Sequence, residues 1–286
     1  MLPLVQLGKT ELKVSRLGLG TVKFGRNQGV KYPTSFDLPN DQDAQKLLHC
    51  ARDLGINLLD TAPAYGVSEE RLGYLLRNDR KYWVIGTKAG EEFTTNHLGE
   101  GTSTFDFSRK ALRLSVERSL RRLRTDYLDI VLIHSDGKDV TLIEQHQVLT
   151  TLADLKREGW IRAFGMSTKT PEGGLLCARE ADLVMTTFDA EQEADHQLML
   201  ACKTHNTGVF LKKIFNSGSM FKLGECEGDD NQADPQPNAP IEAQMKVIFA
   251  QAAVNSAIIG TINCEHLKNN VQSALLALAE TPTTTI

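Results

Sequence analysis

Eight short apolar runs, spread along the chain, most strongly limit the folds that this sequence can adopt. The runs are LGLGT (17–21), INLLDT (56–61), WVIGTK (83–88), LDIVLIH (128–134), IRAFGMS (161–167), DLVMTT (182–187), GVFLKK (208–213) and SAIIGT (256–261). Most of them are continuously apolar rather than alternating. This pattern is typical of strands that are buried on both faces of a parallel sheet.

Segments with helical spacing lie between these runs. Residues 41–54 carry apolar side chains on one face, and Ser68 and Ser108 are expected to cap two further helices. One more helix is expected over 141–158, and a final one after Asn263 or Cys264. Because parallel neighbours need a crossover connection, the alternation predicts an α/β fold, a (β/α)₈ TIM barrel. An open doubly wound sheet is the alternative, but the first strand, GLGTVKFG, lacks the GxGxxG spacing of that fold.

Two further segments complete the predicted organisation of one domain over residues 1–286. VQLGKTELKVS, which precedes the first barrel strand, is predicted to form an N-terminal β-hairpin at the base of the barrel. Residues 224–240 are acidic, contain proline and lack large apolar groups, so they are expected to form a mobile acidic loop.

Composition argues against several classes of protein. The net charge is −4 without a long basic block, so a nucleic-acid partner is not expected. No run approaches the ~18 apolar residues of a membrane span, and the N-terminus lacks the apolar core of a signal peptide, so a cytoplasmic location is expected. The five cysteines are widely spaced without CxxC, which favours reduced thiols over a disulfide framework or a metal site. The oligomeric state is not predicted.

Four polar residues stand at or just beyond the ends of predicted strands: Asp60, Tyr65, Lys88 and His134. In a barrel, the carboxyl ends of the strands surround one mouth, so three consecutive strands would bring these side chains together. Taken singly, each has a structural explanation, such as a strand-end cap for Asp60. The set of four in this order favours an acid–base site.

The chemistry of such a set suits carbonyl reduction. When a hydride reaches a carbonyl carbon, the oxygen needs a proton. A tyrosine is a weak acid because its unperturbed pKa is about 10, but a nearby ammonium favours the phenolate and lowers a phenol's pKa. A carboxylate beside the lysine would keep the ammonium charged and in place. A histidine can hydrogen-bond the substrate oxygen or assist the proton transfer.

The chain resembles the aldo-keto reductases. The resemblance rests on GINLLDTAPAYG (55–66), GTK (86–88), LDIVLIH (128–134) and IIGT with EHLKNN (258–261 and 265–270). It implies an NADP(H)-dependent oxidoreductase that reduces an aldehyde or ketone, a small-molecule carbonyl substrate, to an alcohol. Tyr65 would be the general acid, activated by Lys88 and Asp60, and His134 would orient the carbonyl.

The resemblance also implies a set of cofactor-binding residues: Gly20, Thr21, Ser167, Lys212, Gly260, Thr261, Asn263, His266 and Asn270. The chain departs from the family's pattern where the carboxamide of the nicotinamide is usually held, with Thr168 and Met185, and where an aromatic ring usually stacks, with Ile214 or Phe215. His266 stands at the family's usual arginine for the 2′-phosphate. The resemblance implies NADP(H). Losing a bidentate guanidinium–phosphate pair weakens discrimination for NADP over NAD, so NAD(H) is kept as the alternative.

Two other functions stay open at the level of sequence. Lys88 at a strand end could form a Schiff base, as in a lysine-dependent aldolase on the same barrel. The altered positions Met185 and Ile214 also leave room for a non-catalytic sensor of nicotinamide nucleotides.

Overall fold

The computed structural model describes residues 1–30, 35–96, 100–215 and 239–280, and it contains a closed barrel of parallel strands. The barrel strands are β3 (Leu17–Gly20), β4 (Leu58–Asp60), β5 (Val84–Ala89), β8 (Leu128–His134), β9 (Ile161–Ser167), β10 (Leu183–Thr186), β11 (Gly208–Leu211) and β12 (Val254–Ile259). Each pairs with the next in the chain, and β12 closes the barrel against β3. All eight apolar runs thus form barrel strands, and the prediction of a TIM barrel is confirmed.

The predicted N-terminal hairpin is present and closes one end of the barrel. Its strands, β1 (Leu4–Gln6) and β2 (Lys13–Ser15), pair antiparallel. Leu7 and Val14 are fully buried among side chains of the barrel interior. The side chain of Asn57, just before β4, accepts a hydrogen bond of 2.8 Å from Ser15 N. The hairpin therefore seals the amino ends of the strands, and the opposite, carboxyl end is the mouth.

Helices surround the barrel on its outer face. They are α1 (Val22–Gly25), α2 (Asp41–Asp53), α3 (Ser68–Leu75), α4 (Arg109–Arg122), α5 (Asp139–Glu144), α6 (Val148–Arg157), α7 (Pro171–Glu180), α8 (Glu193–Thr204), α9 (Ala239–Phe249) and α10 (Cys264–Glu280). Apolar side chains of these helices pack against the outward side chains of the strands in one large core. In the described part of the chain, no helix has the length and apolar character that crossing a membrane requires.

The prediction of a single helix over 141–158 is wrong, because two helices, α5 and α6, occupy this segment. Gln147 adopts a left-handed backbone with φ of 51°. The backbone N–H groups of Gln145 and His146 both bond to Thr141 O, a pattern that ends a helix. No glycine or proline marks this break, so residue spacing alone did not reveal it.

The two predicted serine caps have different outcomes. Ser108 caps α4 as expected and accepts a hydrogen bond from Ala111 N. Ser68 is the first residue of α3 and caps nothing. Its hydroxyl is fully buried and donates to Thr21 O at 3.0 Å, so it joins α3 to the end of β3.

Residues 91–105 contain a second hairpin after the carboxyl end of β5. Its strands, β6 (Glu91–Thr95) and β7 (Gly101–Phe105), pair antiparallel. Strand β6 packs against the 3-10 turn Pro63–Tyr65. The hairpin thus stands beside the predicted catalytic tyrosine.

The expectation of reduced thiols is wrong for one pair, since Cys50 in α2 and Cys264 at the start of α10 form a disulfide. The 214 residues between them hide this pairing in the sequence. Closure of the barrel places β12 beside β3, which brings the helices that follow them together. Cys177 and Cys202 are buried free thiols, and Cys226 lies outside the described residues.

Most of the predicted acidic loop, residues 224–238, also lies outside the described part of the chain. The last two residues of the predicted loop, 239–240, belong to the first turn of α9.

Candidate active site

Strand register brings the four predicted catalytic residues to the mouth. Asp60 is the last residue of β4 and pairs with Gly86 of β5, two residues before Lys88. Lys88 in turn pairs with Leu132 of β8, two residues before His134. Because side chains two residues apart on a strand point to the same face, the register puts these side chains on one face of the sheet, near the carboxyl ends of the strands.

Lys88, Asp60 and Tyr65 form one hydrogen-bonded cluster. Lys88 Nζ donates to Asp60 Oδ1 at 2.5 Å, to the Thr61 carbonyl at 3.0 Å and to the Tyr65 hydroxyl at 3.1 Å. The Tyr65 hydroxyl donates to Asp60 Oδ2 at 3.3 Å. The Lys88 side chain is only 2% exposed. All three ammonium protons are therefore satisfied, and one of them points at the phenol oxygen, where it favours the phenolate.

The local sequence explains why Tyr65 reaches this cluster. Pro63 starts a 3-10 turn immediately after β4, and its fixed φ suits the first helical position. Gly66 ends the turn at φ of 60°, and a Cβ there would lie 2.2 Å from Gly25 O. Only glycine fits this close approach. The turn places the Tyr65 ring so that Lys88 Nζ lies 4.6 Å from its centroid.

His134 is next to Tyr65 and to an acidic residue that the sequence did not single out. The Tyr65 and His134 rings meet edge to face with centroids 6.2 Å apart. Glu91 Oε2 lies 2.8 Å from His134 Nδ1, with only 13% and 19% of the two side chains exposed. The oxygen is close in distance but off the direction of an aligned hydrogen bond, so we describe the contact as electrostatic.

The charges of this pair are coupled. Burial lowers the pKa of His134 and Lys88 lowers it further, whereas contact with Glu91 opposes the shift. Burial alone would raise the pKa of Glu91, but its contact with His134 and the neighbouring Ser103 and Arg26 outweigh burial and lower it to about 2. Glu91 is therefore a carboxylate at any pH near neutrality. The signal for this residue in the sequence is the acidic pair Glu91–Glu92, which follows β5 after Gly90.

Arg26 is a second residue that the sequence did not reveal. Its guanidinium lies 3.8 Å from the centroid of the Phe93 ring, on β6. Its Nη1 donates to the Ala64 carbonyl, in the turn that carries Tyr65, at 2.9 Å. Arg26 thus links the second hairpin to the Tyr65 turn, and no local pattern in the sequence pointed to it.

Of the predicted cofactor-binding residues, Ser167 and Lys212 lie together at the mouth. Lys212 Nζ donates to Ser167 Oγ and to the Thr168 carbonyl, both at 2.8 Å. Burial lowers the pKa of Lys212 to about 7, with smaller contributions from Lys213, Lys88 and Lys169, while Asp139 opposes the shift. Both of these acceptors are neutral, so neither supplies the negative charge that an anionic ligand would bring to Lys212.

The turn from β12 into α10 holds four more of these residues. The Thr261 hydroxyl accepts from Asn263 N at 3.0 Å, and Asn263 Oδ1 caps the helix by accepting from Glu265 N at 2.8 Å. Gly260 and His266 are exposed. A capped helix start of this kind favours an anion nearby.

The side chain of Asn270 shows whether this segment suits a nucleotide, because one of its polar atoms lacks a partner in the described part of the chain. Its side-chain oxygen is buried and has no partner among the residues that the structure describes. A buried acceptor without a donor is costly, and a base with an amino group would supply one. Together with Lys212 and the start of α10, the donor and acceptor set fits a nicotinamide dinucleotide.

Gly20 and Thr21 lie at the end of β3, under the same mouth. Gly20 pairs in register with Asp60. The Thr21 hydroxyl bonds to Asp60 O at 3.0 Å and to Ser68 Oγ at 2.8 Å, and Thr21 O accepts from Ser68. Because its polar atoms are engaged within the fold, Thr21 would meet a cofactor only by packing.

Two of the departures from the family's pattern, Met185 and Ile214, are buried side chains. Met185 lies in the barrel interior and is 2% exposed, and Ile214 is 7% exposed.

Among the described residues, no group of histidine, cysteine, aspartate and glutamate side chains has the arrangement of a metal site.

Comparison with known proteins agrees with this geometry. The model of the aldo/keto reductase family matches residues 16–222. The crystal structure of a Pseudomonas aeruginosa protein assigned to the aldo-keto reductases shares 45% identity, covers 96% of this chain and 95% of that one, and superposes with a TM-score of 0.81.

Two curated enzymes are more distant relatives. The NADH-specific methylglyoxal reductase of Escherichia coli is 33% identical over 76% of this chain and 68% of its own. The D-threo-aldose 1-dehydrogenase of a Pseudomonas species is 25% identical over 93% of this chain and 91% of its own. With its barrel, its strand-end cluster and these matches, the chain belongs to the aldo/keto reductase family of oxidoreductases.

Proposed function

We propose that this protein reduces an aldehyde or ketone to an alcohol with a nicotinamide nucleotide, and that Tyr65 is the general acid. The observation that carries the proposal is the position of Lys88 Nζ, which bonds to Asp60 Oδ1 and to the Tyr65 hydroxyl at the same time. An ordinary buried ion pair would not require a phenol as a third partner.

Each residue of the cluster would have its own role in the reduction. When bound, the reduced nicotinamide supplies the hydride. Tyr65 gives its phenolic proton to the carbonyl oxygen as negative charge develops there. Lys88 stabilises the resulting phenolate through its N–H bond, and Asp60 keeps the ammonium charged. In the oxidative direction, the Tyr65 phenolate would take the proton from the alcohol. His134, beside the Tyr65 ring, would orient the carbonyl or assist the proton transfer.

The cofactor would be held by Ser167 and Lys212, at the ends of β9 and β11, and by the segment from Gly260 to Asn270 that follows β12. We expect NADP(H), with NAD(H) as the alternative. His266 offers no guanidinium fork to a 2′-phosphate, and Lys268 is already paired with Glu265 at 2.7 Å. A relative named as NADH-specific keeps this alternative open.

The two rival functions receive less support from the site. A Schiff-base aldolase needs an uncharged lysine, whereas Lys88 is held as an ammonium by Asp60. A nucleotide sensor would not need the Tyr65–Lys88 contact, because a binding protein transfers no proton.

One experiment separates the three functions. NADPH and NADH are titrated by fluorescence, and the NADPH complex is then mixed with a nitrobenzaldehyde in a single turnover. We expect tighter binding of NADPH, and oxidation of bound NADPH with one alcohol formed per site. Binding without oxidation across a panel of aldehydes would favour the sensor. A substrate adduct trapped on Lys88 by borohydride would favour the aldolase.

A further inference from the structure

The geometry points to a second ligand site, for a small polyphosphate, in a basic pocket at the amino end of the barrel. The pocket has a volume of about 1020 Å³. It is lined by the segments that lead into β5 and β8 and by the start of β9, so it lies at the end opposite the mouth. This inference goes beyond the proposed function and does not depend on it.

The charge of the pocket sets it apart from the molecule as a whole. Among the described residues that line it, Asp126 is the one acidic side chain. The whole chain has a net charge of −4. Positive charge gathered in a concave surface raises the local concentration of anions. Six of the eleven lining residues are basic: Arg77, Arg80, Lys81, Arg121, Arg124 and Arg162.

Two of these arginines form a fixed floor. Arg80 Nη2 and Arg162 Nη1 donate to the two carboxylate oxygens of Asp129, at 2.8 and 3.1 Å. Their guanidinium carbons also lie 4.5 and 4.0 Å from the centroid of the Tyr127 ring. One carboxylate serves two arginines, so the floor keeps a positive charge. The Arg162 side chain is 52% exposed, which leaves its guanidinium open to a ligand.

Three cations at the rim lack this compensation. Arg77, Lys81 and Arg124 are exposed, and among the described residues none of them has a carboxylate within ion-pair distance. The guanidinium carbons of Arg77 and Arg124 lie 5.3 and 5.9 Å from the centroid of the same ring, that of Tyr74. Like charges that are held together repel each other, and an anionic ligand would relieve this repulsion.

The fold brings these cations together through the ends of two helices. Gly73 of α3 lies against the end of α4, where a Cβ at Gly73 would be 2.1 Å from Arg122 O. Arg124, two residues after α4, has φ of 53°, a left-handed conformation in which glycine is usual. The backbone favours glycine at this position, so the arginine is better explained by its charge.

The negative ends of α3 and α4 account for part of this charge, since cations stabilise a helix C-terminus. They do not account for Lys81, which lies in the 3-10 turn Arg80–Tyr82, or for Arg162 in β9. Each helix end carries only about half of a negative charge. A net positive charge therefore remains for a ligand.

The lining also indicates the class of ligand. Guanidinium forks match the oxygens of phosphate, and a chain of phosphates would meet several cations at once. The apolar part of the lining is small, because it consists of Leu120 and the Tyr127 ring, which already contacts two guanidinium groups. Ordinary ligand pockets are mostly apolar, so this one suits a ligand with little apolar surface. A polyphosphate chain, free or attached to a nucleoside, has these properties.

Calorimetric titration with tripolyphosphate tests the site. The wild-type protein should bind one tripolyphosphate, and the affinity should fall as the salt concentration rises. The triple variant Arg77→Gln/Lys81→Gln/Arg124→Gln should bind at least about 100-fold more weakly, because loss of one charge-assisted hydrogen bond costs about tenfold or more in Kd. Lys81→Gln alone should lose about tenfold, and it keeps the test valid if the triple variant unfolds.

Two control proteins locate the bound anion. Lys9→Gln/Arg179→Gln/Lys203→Gln removes the same charge at exposed positions outside the pocket, and it should bind tripolyphosphate like the wild type. Lys212→Met alters the mouth and should also bind like the wild type. Loss of binding in Lys212→Met with binding retained in the triple variant would place the anion at the mouth and overturn the inference.

The choice of titrant tests the ligand class. ATP should also bind, with an affinity equal to that of tripolyphosphate if the phosphate chain alone is recognised and with a higher one if the nucleoside contributes. Both results support the site. Absence of tripolyphosphate binding, or binding of a hexaglutamate peptide in its place, overturns it. None of these titrations requires a carbonyl substrate, so the site and the proposed reduction stand or fall separately.

Discussion

Two lysines at the same barrel mouth, Lys88 and Lys212, show how the partner of a buried amine decides its use. Lys88 Nζ lies 2.5 Å from a carboxylate oxygen of Asp60, and the ion pair keeps the ammonium charged. Lys212 Nζ donates to a hydroxyl and a carbonyl, and burial lowers its pKa to about 7. Burial is common to both lysines, and the counter-charge is what differs.

The difference suggests a division of roles. A lysine in an ion pair with a carboxylate and in contact with a phenol is placed to activate that phenol, which suits Lys88. Among the described residues, Lys212 has no carboxylate in salt-bridge contact, so it gains most from a ligand that brings negative charge, which suits a contact with a nucleotide. Substituting either lysine tests this difference in roles, and Lys88→Met is expected to have the largest effect.

Lys88→Met should almost abolish carbonyl reduction, because the phenol of Tyr65 loses the ammonium that favours its ionised form. We expect kcat to fall about 10²- to 10⁴-fold, the usual contribution of general acid catalysis. The measurement is the steady-state reduction of a nitrobenzaldehyde, together with an NADPH titration. Retained turnover with an unchanged alkaline limb of the pH–rate profile would mean that Lys88 does not activate Tyr65.

Lys212→Met should act on binding rather than on the chemical step. Loss of a charge-assisted hydrogen bond, about 1.5–3 kcal/mol, predicts NADPH binding that is weaker by roughly 10- to 100-fold. At saturating NADPH, kcat should change much less. Lys213→Met is the matched control, since Lys213 is the exposed neighbour with the same charge. If kcat falls as far as in Lys88→Met while NADPH affinity holds, the division of roles between the two lysines is wrong.

The pH dependence of stability gives the smallest effect. The pKa of Lys212 is about 7 in the folded protein against an ordinary value of 10.5. Between these values the unfolded chain binds more protons, so this residue makes the wild-type protein more stable as pH rises from about 7 toward 10. Lys212→Met removes the cost of burying the charge. Its Tm relative to wild type should therefore be higher at pH 6 than at pH 9.5.

Scanning calorimetry of the two proteins at both pH values is the measurement. A difference in Tm that does not change with pH would show that the amine of Lys212 titrates alike in the folded and unfolded chains.

Much of the fold could be predicted because it rests on local patterns. The continuous apolar runs identified all eight barrel strands, and the strand ends identified Asp60, Lys88 and His134 as neighbours. The position of a residue at the carboxyl end of a parallel strand predicts its place in the folded barrel, because all of those ends meet around one mouth.

The features that the sequence did not reveal depend on contacts between distant segments. The disulfide joins Cys50 and Cys264 across the seam where β12 meets β3. The contact of Glu91 with His134 joins residues 43 positions apart, and His134 lies on β8, the barrel strand that pairs with β5. Ser68 has the residue type of a cap, but a buried hydrogen bond to Thr21 gives it a different role. In each case a tertiary contact overrides the local preference.

The most direct test of the central claim is Tyr65→Phe, which removes the phenolic oxygen and keeps the ring. The variant should bind NADPH with the affinity of the wild-type protein in a fluorescence titration. In a single turnover with a nitrobenzaldehyde it should oxidise bound NADPH at least about 100-fold more slowly. Unchanged affinity with this loss of rate is the result that the account predicts. Wild-type oxidation of NADPH by Tyr65→Phe would contradict it, because no proton could then come from Tyr65.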